Sequence, residues 1–167
     1  FRHASMIVIK PTLINDKNFK PFGTIISTNK KKAKIINDGF AAKYENLVDL
    51  RRFKNKGFPS INIYKAKKRT FSLTIDRLEM HPLSSQAFIP LENEQFICCV
   101  SLAKSRPDIK DIKAFIVPKG LGIIYSKKVW HYPLISLKNM QFLIIERYGK
   151  GKNLVEYYFD QEIKLIK

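Results

Sequence analysis

From Pro59 onward apolar and polar side chains alternate with a period of two, in short runs divided by turn-forming residues. Successive side chains of a strand point to opposite faces, so each run reads as a half-buried strand and not as a helix. The runs are Ile61 to Tyr64, Phe71 to Leu78, Ala87 to Leu91, Phe96 to Leu102, Ala114 to Val117, Leu121 to Tyr125, Val129 to Tyr132, Phe142 to Arg147 and Val155 to Phe159. Many short strands joined by turns predict a mainly β fold, an antiparallel sandwich or barrel. Glu92-Asn93-Glu94 has the form of the tightest hairpin connection, and Ser105 to Lys113 that of a loop. The first forty residues look peripheral, with a strand at Met6 to Ile9, a capped brief helix within Asn15 to Gly23, and a strand at Thr24 to Ser27. Asn37-Asp38-Gly39 is a turn signal. Ala41 to Phe53 then offers one short helix, with Tyr44, Leu47, Val48 and Leu50 as its apolar positions.

The segment from Leu73 to His81 changes character along its length. If it is extended, Leu73, Ile75, Arg77, Glu79 and His81 share one face. That face passes from apolar to ionisable, as in a barrel strand that fills the interior at one end and opens into a pocket at the mouth. Gln86 follows after a turn containing Pro82, so a hairpin here brings an acid, an imidazole and an amide to one pocket. Tyr125 with Val129-Trp130-His131-Tyr132-Pro133 is a candidate facing wall, and Asn62, in an otherwise apolar strand, a candidate pocket donor. Glu79, His81, Gln86 and His131 also carry donor atoms for a divalent metal. A set with a carboxylate and an amide binds first-row metals more weakly than a histidine-rich one, so the residues permit a metal without requiring it. The competing reading of His81 is a ring tied into a hairpin by its own hydrogen bonds, and of His131 an aromatic packing cluster beside Trp130.

At 167 residues, with 45% apolar side chains, 12 Phe and 7 Tyr, the chain can bury a substantial core, and no break in composition divides it. Residues 6–167 read as a single domain. Phe1 to Ser5 precede the first methionine and read as an appended remnant, which leaves His3 out of the site. No apolar run approaches the ~18 residues of a membrane span and no signal-peptide pattern opens the chain, so the cytoplasm is the expected compartment. Cys98 and Cys99 are adjacent, point to opposite faces of a strand, and make neither a disulfide framework nor a zinc spacing. A net charge of +17 ordinarily suggests nucleic acid or an anionic membrane. The basic residues are spread along the chain, however, with short runs at Lys30-Lys31-Lys32, Lys67-Lys68 and Lys127-Lys128 and no recognition helix to gather them. That distribution argues for a solvated surface and for steering of a small anionic substrate, with no nucleic-acid or membrane partner.

The run Leu78-Glu79-Met80-His81-Pro82-Leu83-Ser84-Ser85-Gln86-Ala87-Phe88-Ile89-Pro90, together with Tyr125, Val129-Trp130-His131 and Pro133-Leu134, closely resembles the bacterial ureidoglycolate lyases. Weaker likeness extends to Ile36-Asn37-Asp38-Gly39, to Ser60-Ile61-Asn62 and to Phe142-Leu143-Ile144-Ile145, so that it spans the chain from about Met6 to its end. The resemblance implies a cupin-like β-barrel with short peripheral helices, a homodimer, that cleaves (S)-ureidoglycolate to glyoxylate and urea in allantoin catabolism. It also implies a divalent metal, often nickel, that stimulates more than it is essential. Two positions depart from the family pattern. The family commonly carries a second histidine after Val-Trp-His and often a glycine before it, where this chain has Tyr132 and Lys128. Both changes are expected to touch the pocket wall.

The implied substrate bears a hydroxyl, a ureido nitrogen and a carboxylate on one carbon. Its elimination needs a base for the hydroxyl proton, an acid for the departing nitrogen, and a cation or amide donors for the carboxylate. On that expectation His81 is the base or a metal ligand, and Glu79 orients it or shares its proton. His131 is the acid, since imidazoles titrate near neutral pH. Gln86 hydrogen-bonds the ureido group, Asn62 and Tyr125 line the pocket, and Arg77 and Lys127 are candidates for the carboxylate. The alternatives are another metal-dependent cupin enzyme acting on a small hydroxy acid, a non-catalytic cupin that binds a small acid, a nucleic-acid binder, and a hydrolase that releases ammonia and carbon dioxide in place of urea.

Overall fold

The computed structural model of the protein describes residues 5–50 and 57–167. In chain order its strands are β1 (Ile7–Ile9), β2 (Thr12–Leu13), β3 (Gly23–Ile26), β4 (Lys34–Ile36), β5 (Ala41–Lys43), β6 (Phe58–Ala66), β7 (Leu73–Thr74), β8 (Arg77–Met80), β9 (Gln86–Pro90), β10 (Phe96–Ser101), β11 (Lys113–Val117), β12 (Gly122–Tyr125), β13 (Trp130–His131), β14 (Ile135–Ser136), β15 (Met140–Tyr148), β16 (Val155–Tyr158) and β17 (Ile163–Leu165). One short helix, α1 (Asp16–Phe19), follows β2. Asn15 caps it through a reciprocal box, its Oδ1 accepting from the Asn18 amide while the Asn18 side chain accepts from the Asn15 amide.

A five-stranded sheet, ordered β3-β12-β9-β15-β6, faces a seven-stranded sheet, ordered β16-β8-β13-β10-β11-β2 with β14 paired to β10. A three-stranded sheet, β1-β17-β7, covers the other side of the seven-stranded one. Two apolar clusters fill the gaps, and alternation along β10 serves both. Phe96, Cys98 and Val100 enter the first cluster, Ile97 and Cys99 the second. β10 is buried along its whole length, which is why its sequence is a continuous apolar run. The adjacent cysteines do lie on opposite faces, and burial pushes the Cys98 thiol up to about 12, so it stays protonated and inert. Full burial of side chains such as Phe142, Leu78 and Ile135 stabilises by roughly 1.5–3 kcal/mol each.

The mainly β, cupin-like architecture agrees with the alternation, and four local expectations change. The segment from Leu73 to His81 is two strands, not one. Leu73 and Ile75 bury in the second cluster, and so do Leu78 and Met80, three residues further on. A period of two cannot keep both pairs on one face, so the chain breaks at Ile75-Asp76 and passes from the three-stranded to the seven-stranded sheet. The turn at residues 81–85 likewise joins no hairpin, because β8 and β9 belong to facing sheets, and Glu92-Asn93-Glu94 makes the same kind of crossing between β9 and β10. The first forty residues are not peripheral, since Ile14, Phe19, Phe22 and Ile25 belong to the first cluster and β2 pairs in parallel with β11. Ala41 to Lys43 is a strand hydrogen-bonded to β4, and residues 44–50 contain no helix; the end of that expected helix lies outside the described residues. Asn37, Asp38 and Gly39 turn the chain between β4 and β5 with φ of 54°, 56° and 94°, left-handed values for which Asn, Asp and Gly are suited.

Candidate active site

At one end of the first cluster the apolar filling gives way to polar side chains from both sheets. The seven-stranded sheet contributes Glu79 from β8, His81 just past its end, and His131 from β13, whose pairing sets His131 opposite Glu79. One potential ligand atom from each lies within 4.8 Å of the others. His131 Nε2 is 3.7 Å from Glu79 Oε1, and the two imidazole centroids are 5.1 Å apart. Tyr125 stacks on His131 at 4.5 Å and 16°, fixing the ring plane from the cluster side.

Backbone carbonyls decide the tautomers. His81 Nδ1 lies 2.7 Å from the Asn153 carbonyl oxygen and His131 Nδ1 3.2 Å from that of Val129. A carbonyl only accepts, so each Nδ1 carries a proton, and in the neutral ring it is Nε2 that keeps a lone pair. Both Nε2 atoms are buried and lack a hydrogen-bond partner among the described residues. An unpaired buried acceptor costs about 1–3 kcal/mol, so two such lone pairs beside a carboxylate mark a site shaped for something other than stability. A divalent cation fits them. Two imidazoles, each oriented by a hydrogen bond from its other nitrogen, and one carboxylate are a common ligand set for such ions. Burial, with His81 beside it, pushes His131 down to about 3, so this ring is neutral at pH 7. Burial raises Glu79 above the usual carboxylate value, against the opposing pull of His81 and Arg77.

Asn153, in the loop between β15 and β16, holds this wall from behind. Its carbonyl receives His81, its Oδ1 accepts from the Leu83 amide at 2.8 Å, and its Nδ2 donates to Ser84 Oγ at 3.0 Å. The crossing turn and the imidazole are therefore positioned by one residue. On the other flank the Lys128 amide donates to the His81 carbonyl at 3.0 Å, which ties the turn before β13 to the end of β8.

The five-stranded sheet builds the opposite wall around Glu146 of β15. Glu146 Oε2 accepts from Tyr64 Oη at 2.6 Å and from Asn62 Nδ2 at 3.1 Å, and its Oε1 from Gln86 Nε2 at 3.4 Å. Burial and the bond to Glu146 push the Tyr64 phenol well above its usual range, so it remains a donor. Gln86 Oε1 is buried and has no partner among the described residues.

Of the residues singled out from sequence, Glu79, His81 and His131 form one cluster, and Gln86 and Asn62 meet on the facing sheet through Glu146. Lys127 borders the adjoining cleft with Ser85 and Tyr125. Arg77 sits on the same strand as Glu79 but is engaged at the rim by Asp76 at 3.2 Å and Glu156 at 3.5 Å. Sequence reasoning passed over Glu146, Tyr64 and Asn153. Glu146 did leave a signal, since it continues the inward phase of Phe142 and Ile144 with a charge. Asn153 left none, in an aperiodic stretch containing Gly149 and Gly151.

The sequence profile of the family described as ureidoglycolate lyase matches residues 6–166. The chain belongs to that family. It is 32% identical over 161 residues to the ureidoglycolate lyase of Pseudomonas syringae pv. syringae strain B728a, covering 96% of this chain and 94% of that protein. It is 33% identical to the ureidoglycolate lyase of Pseudomonas fluorescens strain SBW25, with 96% and 95% covered, and 35% identical to that of Burkholderia mallei strain NCTC 10229, with 88% and 86% covered. One of the two departures from the family pattern, Tyr132, turns away from the site. Tyr132 alternates away from His131, is buried in the second cluster, and its hydroxyl accepts from Arg69 at 3.3 Å. Lys128 has φ of 69°, the left-handed conformation in which glycine is least strained.

Proposed function

We propose that this protein is a ureidoglycolate lyase, cleaving (S)-ureidoglycolate to glyoxylate and urea. The observation that carries the reading is the pair of bare, buried Nε2 atoms beside Glu79, set in a chain whose family profile covers nearly its whole length. A divalent cation held by Glu79, His81 and His131, nickel by the family resemblance, would supply Lewis acidity to the oxygens of the substrate. The protein's own groups handle orientation and protons. Elimination moves one proton from the hydroxyl oxygen to the departing nitrogen as the C–N bond breaks and the C=O bond forms. His81 Nε2, with its lone pair free and Nδ1 anchored, suits that transfer. With no cation held, Glu79, whose proton affinity burial has raised, stands beside it to share or relay that proton. His131 is held neutral, with its one proton on Nδ1 against the Val129 carbonyl, so its Nε2 serves as ligand or acceptor in place of the acid expected from sequence. Gln86 receives the ureido group, Asn62 and Tyr125 complete the pocket, and Arg77 and Lys127 approach the carboxylate from the rim.

The setting completes the proposal: a cytoplasmic step of purine nitrogen catabolism, with no nucleic-acid or membrane partner. No helix among the described residues is long and apolar enough to cross a membrane. We also propose a homodimer. The outward face of β6 leaves Ile61 and Ile63 69% and 49% exposed, an apolar strip that a second copy would cover, and sedimentation as a monomer at micromolar concentration excludes it. The deciding experiment incubates metal-depleted protein with racemic ureidoglycolate and follows glyoxylate and urea separately, with and without divalent metal. Equal release of both establishes the lyase, and its metal dependence assigns the trio as ligands or as proton carriers. Ammonia in place of urea makes the enzyme a hydrolase, and glyoxylate at no more than the spontaneous rate removes the catalytic reading.

A further inference from the structure

We propose that Glu146 is a positioning residue that fixes the polarity of the Gln86 side chain and so makes the wall opposite the imidazoles selective for N–H donors. Glu146 accepts from three side chains, and a carboxylate can only accept. The Gln86 amide must therefore turn its NH2 toward Glu146, and its Oε1 is left facing away. With Gln86 only 6% exposed, that oxygen is a desolvated acceptor with no partner among the described residues. Tyr64 reinforces the choice, because its proton is spent on Glu146 and its oxygen accepts from the nitrogen end of Gln86. Asn62 is turned in the same sense, Nδ2 to Glu146. One carboxylate thus sets two amides.

The chemistry that matches a lone carbonyl oxygen is a group with two parallel N–H bonds, such as a ureido group, whose hydrogens converge on a single acceptor. A hydroxyl or ester in the same place would satisfy it with one hydrogen or none, and leaving a buried acceptor unpaired is what gives polar sites their discrimination. This inference rests on the lyase reading for the identity of the substrate, but the polarity of Gln86 stands apart from turnover.

The test uses N-carbamoylglycine, an unreactive ligand that keeps the ureido and carboxylate groups and lacks the hydroxyl, with binding measured by calorimetry on the metal-loaded protein and turnover of ureidoglycolate measured in parallel. In Glu146→Gln the partner can donate as well as accept, so the Gln86 amide is free to invert. Binding of N-carbamoylglycine is expected to weaken ~10-fold or more and KM to rise by a similar factor, with metal affinity unchanged. The exchanged pair Glu146→Gln with Gln86→Glu restores an acceptor oxygen in the place of Gln86 Oε1 and is expected to recover most of the loss, which a merely structural role of Glu146 would not allow. Wild-type affinity in Glu146→Gln overturns the inference, as does a loss of metal affinity with ligand binding unchanged, which would make Gln86 Oε1 a metal ligand. Wild-type protein that binds N-carbamoylglycine, loses it in Glu146→Gln, and does not turn over ureidoglycolate upholds the inference while removing the lyase reading.

Discussion

The two walls of the site each carry one carboxylate and treat hydrogen bonding in opposite ways. On the seven-stranded sheet the site-facing atoms of His81 and His131 are left without partners, while every stabilising bond is made behind them, to the carbonyls of Asn153 and Val129. On the five-stranded sheet the polar groups satisfy one another around Glu146, and one oxygen, Oε1 of Gln86, is left over. The first wall accepts a stability cost to keep lone pairs available, as a metal or proton site must. The second spends its bonds on fixing orientation, as a recognition surface must. The unpaired imidazole nitrogens thus locate the chemistry, and the bonds to Glu146 that leave Gln86 Oε1 over set the selectivity.

The contrast is broken most severely by removing a bare lone pair. His81→Ala is expected to lower turnover by ~10²-fold or more, because it deletes either the proton carrier or one ligand of three. The ring is half-buried and its backbone carbonyl still accepts from Lys128, so thermal melting should stay near that of the wild type. A folded variant with full activity would falsify the role, and an unfolded one would make His81 a structural residue.

A smaller loss is expected from the support behind the first wall. Asn153→Ala keeps the carbonyl that receives His81 but removes the two side-chain bonds that hold that carbonyl in place. Groups that orient a metal-binding imidazole are typically worth 10–100-fold in affinity or activity, and the expected change is of that size in kcat/KM or metal affinity. If Asn153→Ala matches the wild type in both, the His81 ring is oriented by its backbone and by its packing on His131 alone.

Buried neutrality on the first wall also has a signature in acid. His131 is held at about 3 when folded, against an ordinary value of 6.5, so between those limits the unfolded chain binds a proton that the folded one refuses. Stability therefore rises with pH through that window and falls as acid is added below about pH 6.5, at roughly 1.4 kcal/mol per pH unit from this one group. Urea titrations of metal-free protein at pH 7 and pH 5 read the slope, and His131→Gln should flatten it by that amount. Equal slopes in the two proteins would show that His131 already accepts its proton when folded.

These contrasts also mark how far sequence alone could go. Alternation located nearly every long strand, because burying one face imposes a period of two wherever a strand is half-covered. It could not tell a hairpin from a crossing between sheets. The turn around Pro82 looks the same either way, and only the position of β9 in the other sheet shows that Gln86 approaches Glu79 from across the site. The trio of Glu79, His81 and His131 was readable because ionisable side chains stand there in or beside short runs of otherwise strand-forming residues. Asn153 was not, because its work is done by a carbonyl and by bonds to residues 69 and 70 positions earlier. The short strands β14 and β17 were missed for a related reason, being only two and three residues long, too few to show a period.

The smallest effect is expected on the second wall, and it sharpens the contrast because it tests redundancy. Tyr64→Phe deletes the 2.6 Å bond to Glu146 but leaves the carboxylate held by Asn62 and Gln86. A neutral donor to a charged acceptor is worth about 1.5–3 kcal/mol when alone, and less where two other donors can close up. The expected result is a rise in KM of a few-fold with kcat nearly unchanged, since the Tyr64 hydroxyl is spent on Glu146. The phenol is pushed above its ordinary value, so the pH profile of kcat/KM should be the same in both proteins up to pH 10. A loss in Tyr64→Phe as large as that in His81→Ala, confined to kcat, would mean that the two walls share the chemistry and that Tyr64 supplies the proton to the leaving nitrogen.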